Sequence, residues 1–354
     1  MDNAIADTAV RSHTALVAAL RNPAAYPHSV ETVEVVETHI SSVLLAGDYA
    51  YKLKKPVDLG FVDFSMLARR RYFCEEEVRL NRRSAPDLYL GVVPITRSRD
   101  GVCVDGEGTP VDYAVRMRRF AREACLDQMA QRGTLHAPLI DQLAEAIAAF
   151  HRRCDSAPSD RTLGAPDEIR RWTMDNLSEL QRLTPIASQR QRIERLARWT
   201  EVEFARRAPV FAERRAAGCV RECHGDLHLG NLVLIKGQPV LFDCIDFNPQ
   251  LRFIDVMSDV AFTWIDLIDH RLPRLAWRFL NGYLEVTGDY AGLATLRFYA
   301  VYRALVRAKV ALIRRGQLST SETERAISEQ VCARYLAVAE NLVQVPRLHM
   351  VLTC

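Results

Sequence analysis

The chain has 354 residues, 49% of them apolar, which is enough for a sizeable core divided between more than one lobe. Its 47 basic and 44 acidic side chains leave a net charge of only +3, so nothing calls for a nucleic-acid partner. The first twenty residues carry early acids and no continuous apolar stretch, and no run approaches bilayer-crossing length, which points to a cytoplasmic protein with no membrane partner.

In chain order, residues 13–21 form a short helix closed by Asn22-Pro23. From Val33 to Lys54, β-branched and aromatic residues predict strands, with Ala46-Gly47-Asp48 as a hairpin turn. Residues 66–83 read as a helix, and 89–95 and 111–117 as further strands. From Leu126 the pattern is helical. Leu139, Leu143, Ile147 and Phe150 recur at three- and four-residue steps, as a buried central helix requires. Residues 155–166 make a loop, and two Arg-rich helices follow to about 217. The stretch "LVLIKGQPVLFD" forms a hairpin turning at Lys236-Gly237, and helices resume from Ala261 to about Ala339 before a loose tail. The expected architecture is α+β and bilobal: a small β-rich N-lobe over residues 1–118 and a larger, mainly helical C-lobe over 119–354.

Just before that hairpin lies "HGDLHLGN", residues 224–231. Cys219, Cys223, His224 and His228 fall within ten residues, but Cys-x3-Cys-His-x3-His lacks the loop between ligand pairs that a zinc finger needs. The nine cysteines are scattered and odd in number, as suits reduced thiols. Phosphoryl transfer offers a better fit. In the kinase loop H-R-D-L-x-x-x-N, the Asp accepts the substrate proton and the Asn binds magnesium. His224, Asp226, Leu227 and Asn231 reproduce that spacing, with Gly225 in place of Arg. A metal carboxylate is expected beyond the hairpin, where Asp243 and Asp246 both qualify as hard oxygen donors.

A phosphate-binding lysine is signalled by composition. Only five of the 47 basic residues are lysine, and three of them stand together at 52, 54 and 55. A compact ammonium that fits between phosphate oxygens is not replaced by a planar guanidinium. Lys52 and Lys54 share one face of a strand and Lys55 faces away; the "LKKP" context favours Lys54. Glu77, then Glu76, is the expected partner, although acids at a helix start also complement its dipole.

These motifs together resemble the aminoglycoside phosphotransferase-like kinases, a family with the protein-kinase-like fold. "CHGDLHLGNLVL" resembles the family's catalytic loop, "LAEAIAAFH" the helix before it, and "RFIDVMSDVAF" the segment after the metal aspartate. The resemblance implies Asp226 as general base, Asn231 and Asp243 as magnesium ligands ahead of Asp246, and His224 and Asp255 as supports of the loop. "DYAVRMRRF" falls at the family's adenine hinge, implying backbone contacts from Val115 to Arg118, Met117 included. With no G-x-G-x-x-G present, the hairpin from Ser41-Ser42 to Asp48 is left to cover the phosphates.

The implied activity is transfer of a phosphoryl group from ATP or another nucleoside triphosphate, with Mg2+, to a hydroxyl of a small molecule such as an aminoglycoside, sugar or amino alcohol. Protein phosphorylation, self-phosphorylation and non-catalytic nucleotide binding are the alternatives. Asp259, Asp266, Asp269, Glu285 and Asp289 are candidates for an acidic acceptor pocket. "THISSVLLAGDYAYKLKKPVDLGFVDFS" and "FCEEEVRLNRR" resemble a bacterial subgroup in which some members add a P-loop ATPase domain. No G-x-x-x-x-G-K-[ST] occurs here, so that domain is expected to be absent and a separate P-loop protein is a candidate partner.

Overall fold

The computed structural model describes residues 12–344 except 39, 59, 61, 100, 160–161 and 318–321; the expected loose tail lies outside the described residues. The chain divides into two compact units, Met1–Cys125 with Asn231–Arg252, and Leu126–Gly230 with Phe253–Cys354. A boundary at 118, as expected from the sequence, would put the hairpin in the second lobe. The hairpin belongs to the first unit because Ile235, Val240 and Phe242 pack on its apolar cluster and Val233 bridges Cys125.

In the first unit, a helix over residues 12–19 (α1) precedes strands β1 (Val33–Glu37), β2 (Ser41–Ala46) and β3 (Tyr49–Lys54). Helix α2 (Leu67–Asn81) follows, then β4 (Tyr89–Ser98), β5 (Gly101–Val104) and β6 (Thr109–Arg118). The six strands form one antiparallel sheet in the order β1-β2-β3-β6-β4-β5. Gly47, at φ +56°, supplies the left-handed backbone of the two-residue turn between β2 and β3. Alternation along β3 gives the sheet two cores. Tyr51 and Leu53 face Leu16, Leu20 and Tyr26, whereas Ala50 faces Cys74 and Val78 of α2. Lys52 and Lys54 share the parity of Ala50 and therefore point to the α2 side.

The second unit holds α3 (Leu126–Gln131), α4 (Ala137–Arg153), α5 (Pro166–Leu183) and α6 (Ala187–Ala216), then the strand β7 (Val220–Glu222). The hairpin strands β8 (Leu232–Ile235) and β9 (Gln238–Leu241) and the turn-like α7 (Pro249–Arg252) lie in the first unit. Strand β10 (Phe253–Asp255) then pairs with β7, and α8 (Val256–Asp269), α9 (Pro273–Thr287), α10 (Leu293–Gln317) and α11 (Glu322–Gln344) complete the unit. The periodic residues Leu139, Leu143, Ile147 and Phe150 of α4 are at most 2% exposed, as their spacing predicts. Helix α8 is buried almost all round, with Asp255 capping it through the Met257 N–H. Among the described residues, no helix is long and apolar enough to cross a membrane.

Candidate active site

The first unit gathers two lysines and three carboxylates. Packing of Cys74 and Val78 against the sheet turns Glu77, on the same face of α2, inward to full burial. Its Oε1 accepts from Lys52 Nζ and its Oε2 from Lys54 Nζ, each at 2.8 Å. Lys52 also donates to Asp243 Oδ1 and Lys54 to Asp246 Oδ2, each at 2.5 Å. Charges buried this deeply persist only because each is paired. Burial pushes both lysines down, but the carboxylates outweigh it: Asp243 and Glu77 for Lys52, Asp246 and Glu77 for Lys54. Both ammonium groups are thereby held above their ordinary range. Burial likewise works against the Glu77 anion, and the two lysines outweigh it.

The structure brings both candidate lysines to one glutamate, whereas Lys55 turns to Thr38 and Glu37. Glu76 does not face the lysines, pairing instead with Arg79 at 2.8 Å and Arg252 at 3.4 Å. Because α2 starts at Leu67, Glu76 and Glu77 lie well inside it and the dipole argument does not apply.

The segment after β9 is tied down from three sides. The Asp243 N–H donates to Tyr89 Oη at 3.0 Å, the Cys244 N–H to Asn81 Oδ1 at 2.9 Å, and Ser84 Oγ to the Leu241 carbonyl at 2.9 Å. Asp243 sits at φ +66°, a left-handed conformation rare outside glycine, and such strain persists where surrounding bonds fix it. Its side chain is 42% exposed, that of Asp246 only 6%. Asn231 is buried, and its carbonyl accepts the Phe242 N–H at 3.1 Å. Two carboxylates and an amide oxygen on one short hairpin segment are hard donors of the kind magnesium takes.

Three expected nucleotide contacts are placed otherwise. Ser42 is fully buried, its hydroxyl donating to Glu37 at 2.9 Å and meeting His13 Nε2 at 2.9 Å, so it is held inside the fold. Val115 and Met117 stand in β6, which is flanked by β3 and β4, so their backbone groups belong to sheet ladders and cannot serve an adenine. The strand ends at Arg118, and the next N–H, that of Arg119, donates to the Asp48 carbonyl at 2.8 Å.

The second unit builds the loop from His224 to Gly230 on one face of α8. Asp259, Thr263 and Asp266, spaced four and three apart, are all buried and all bond the loop. Asp259 accepts the His224 N–H at 2.8 Å and the Gly225 N–H at 3.0 Å, Thr263 donates to the Leu227 carbonyl at 2.7 Å, and Asp266 accepts the Leu229 N–H at 2.9 Å. From α10, Arg303 donates to the Gly225 carbonyl at 2.9 Å. Within the loop, His224 Nδ1 accepts the Asp226 N–H at 3.3 Å and His228 Nδ1 accepts the Gly230 N–H at 3.0 Å.

Out of this pinned backbone projects Asp226, 37% exposed, with His228 Nε2 at 3.5 Å. Burial favours its protonated form, but His228, Arg307 and His224 outweigh that and hold its carboxyl well below the usual carboxylate range. An ionised, part-exposed carboxylate on an immobilised loop can hold or take a proton from a hydroxyl.

His224 lies buried in the loop, bonded to the Asp226 N–H. Asp255 does something else: it caps α8 and pairs with Arg214 at 2.7 Å, and the loop-holding role falls to Asp259, Thr263 and Asp266. The acidic pocket does not form from the acids proposed for it. Asp259 and Asp266 hold the loop, Asp269 pairs with Arg334 at 2.7 Å and Asp289 with Arg214 at 2.7 Å, leaving Glu285 exposed on α9. Among the described residues, the metal-ligating atoms that cluster are those of His151, Cys223 and Asp259, not the Cys219, Cys223, His224 and His228 set. Asp259 there already accepts two backbone N–H groups, and His151 Nδ1 meets Tyr283 Oη at 2.9 Å.

Residues 74–299 match the family described as the phosphotransferase enzyme family. The chain belongs to this family. The matched span holds Glu77, Asp226, Asn231, Asp243 and Asp246, whereas Lys52 and Lys54 precede it. Uncharacterized proteins of Mycobacterium tuberculosis and Mycobacterium bovis are 33% identical over 301 residues, 85% of this chain. The chain spans 59% of the length of these relatives. A choline/ethanolamine kinase family protein from Mesorhizobium loti has a TM-score of 0.53 at 14% identity, covering 94% of this chain and 97% of its own. A choline kinase from Cryptosporidium parvum has a TM-score of 0.52 at 10% identity, covering 94% and 96%. At such identities the likeness is one of fold, and it is the protein-kinase-like α+β fold expected from the sequence.

Proposed function

We propose that this phosphotransferase family member is a small-molecule kinase that uses ATP and magnesium to phosphorylate a hydroxyl of a sugar, amino alcohol or related metabolite. The observation that carries the reading is Asp226, part-exposed on a loop whose backbone is bonded by three buried side chains of one helix, with neighbouring basic groups that favour its carboxylate form. In this reading, an acceptor hydroxyl donates to the Asp226 carboxylate. As its oxygen bonds to the γ-phosphorus, the bond from γ-phosphorus to the β–γ bridging oxygen breaks and the hydroxyl proton passes to Asp226.

The first unit handles the nucleotide. Lys52, fixed by Glu77, offers its ammonium to phosphate oxygens, and Asp243 and Asn231 are the metal-holding residues. Bound there, magnesium supplies positive charge against the phosphate oxygens.

The test is release of ADP by the purified chain with Mg–ATP against a panel of amino alcohols, sugars and aminoglycosides, with Asp226→Asn beside it. We expect turnover with at least one acceptor and a loss of roughly 100-fold or more in the variant, the usual scale for removing a general base. Equal turnover by Asp226→Asn would end the assignment of the base. Mg–ATP binding with no transfer to any acceptor would favour the non-catalytic reading.

A further inference from the structure

Two lysines on one glutamate is one more than phosphate binding needs, and the two are not equivalent. The Lys52 side chain is 13% exposed, and its second partner, Asp243, is 42% exposed in a strained left-handed conformation. Lys54 is 1% exposed, its second partner Asp246 is 6% exposed, and its ammonium stands 4.9 Å over the Phe64 ring. The Asp246 carbonyl in turn accepts from Arg252 Nη1 at 3.0 Å, and Arg252 reaches Glu76 at 3.4 Å. One ion pair thus lies at the solvent edge and the other is walled in by aromatic and charged side chains, with Glu77 bonded to both.

We infer that Lys54 and Asp246 are positioning residues: a buried ion pair that fixes Glu77, and through it Lys52, without touching nucleotide or metal. Glu77 has one oxygen for each lysine. When Lys52 exchanges Asp243 for a phosphate oxygen, the bond from Lys54 keeps Glu77 in place, so the Lys52 stem stays anchored at its second partner. Asp246 is needed because Lys54 adds a second buried positive charge beside Lys52, and an uncompensated buried charge is strongly unfavourable. Asp246 is therefore the counterion of Lys54, and Asp243 alone of the two aspartates is left for the metal. This rests on the proposed roles of Lys52 and Asp243, and the experiment separates the two ideas.

The experiment is calorimetric titration of the full chain with Mg–ATP, well below the melting temperature of each protein. The proteins are the wild type, Lys52→Ala, Lys54→Met, Asp246→Leu and Lys54→Met/Asp246→Leu. We expect Lys54→Met and Asp246→Leu each to melt earlier and to bind Mg–ATP about tenfold or more weakly, because each leaves one buried charge unpaired. The double variant buries neither charge and recovers both properties, with affinity within about tenfold of wild type, the coupling expected of contacting residues. Recovery of affinity by a second substitution is what a phosphate or metal ligand cannot show. If a single variant does not fold, the double variant carries the test alone. A double variant that binds as poorly as Lys52→Ala would overturn the inference, by making Lys54 or Asp246 a direct ligand. Lys52→Ala with wild-type affinity would instead overturn the proposed nucleotide half, and the pairing of Lys54 with Asp246 is then judged by recovery of melting temperature in the double variant.

Discussion

Asp259 and Gly225 are joined by a 3.0 Å hydrogen bond from the glycine N–H to Oδ1, while the other carboxylate oxygen takes the His224 N–H at 2.8 Å. One side chain thus satisfies two consecutive buried donors at the start of the loop that runs to Gly230. Asp259→Ala strands both, at a cost of about 2–6 kcal/mol when each unmatched buried donor costs about 1–3. Chemical denaturation measures it, and a loss below about 1 kcal/mol would show that water or a local shift replaces the carboxylate.

The adjacent glutamates of α2 separate cleanly. Glu77 lies between two ammonium groups with no exposed surface, whereas Glu76 pairs with Arg79, whose side chain is 47% exposed. Glu77→Gln is expected to destabilise the fold by about 3–5 kcal/mol and to weaken Mg–ATP binding. Glu76→Gln should cost clearly less than Glu77→Gln, because its 2.8 Å partner Arg79 is solvent-accessible and its buried partner Arg252 stands farther off, at 3.4 Å, and also bonds the Asp246 carbonyl. Thermal unfolding and titration of both variants check the contrast, and similar behaviour would refute it.

His13 gives the fold an acid sensitivity of its own. Burial is the main cause that lowers its pKa from 6.5 to about 4; Glu37 opposes this, while Lys55 and Arg70 add to it. The folded state therefore keeps His13 neutral where the unfolded chain would bind a proton. Its contribution is fully present above pH 6.5 and is lost as pH falls from 6.5 towards 4, reaching about 3 kcal/mol by linkage. His13→Gln should flatten the stability profile over that window relative to wild type. Parallel profiles for the two proteins would show that His13 does not titrate this way.

Arg214 joins the cap of α8 to the turn after α9. It bonds both oxygens of Asp255, at 2.7 and 2.8 Å, and both of Asp289, at 2.7 Å each. Arg214→Met leaves the Asp255 anion buried without its partner, and about 3–5 kcal/mol should be lost. Protection of the α8 amides in hydrogen exchange should fall with it; unchanged protection would mean the cap holds by itself.

The sequence by itself determined the parts that are local. "HGDLHLGN" is legible because its chemistry is contiguous, and α4 because its apolar residues recur at the helical period. The rarity of lysine marked residues 52–55 before any fold was known. The short strands β5, β7 and β10, of three or four residues, carry no period to detect, and the sheet edges they occupy exist only through their partners.

Only the tertiary structure decided the rest. Alternation puts Lys52 and Lys54 on one face, but it takes the segment after β9 to give one an exposed aspartate and the other a buried one. Adjacent glutamates look alike until packing turns one inward. Strand order commits the backbones of Val115 and Met117 to their neighbours, and the polar stripe of Asp259, Thr263 and Asp266 reads as a surface until burial is known. The physical reason is the same in each case. Local sequence sets which way a side chain points from its own element, whereas the cost of burying a charge or a polar group depends on partners brought from distant parts of the chain.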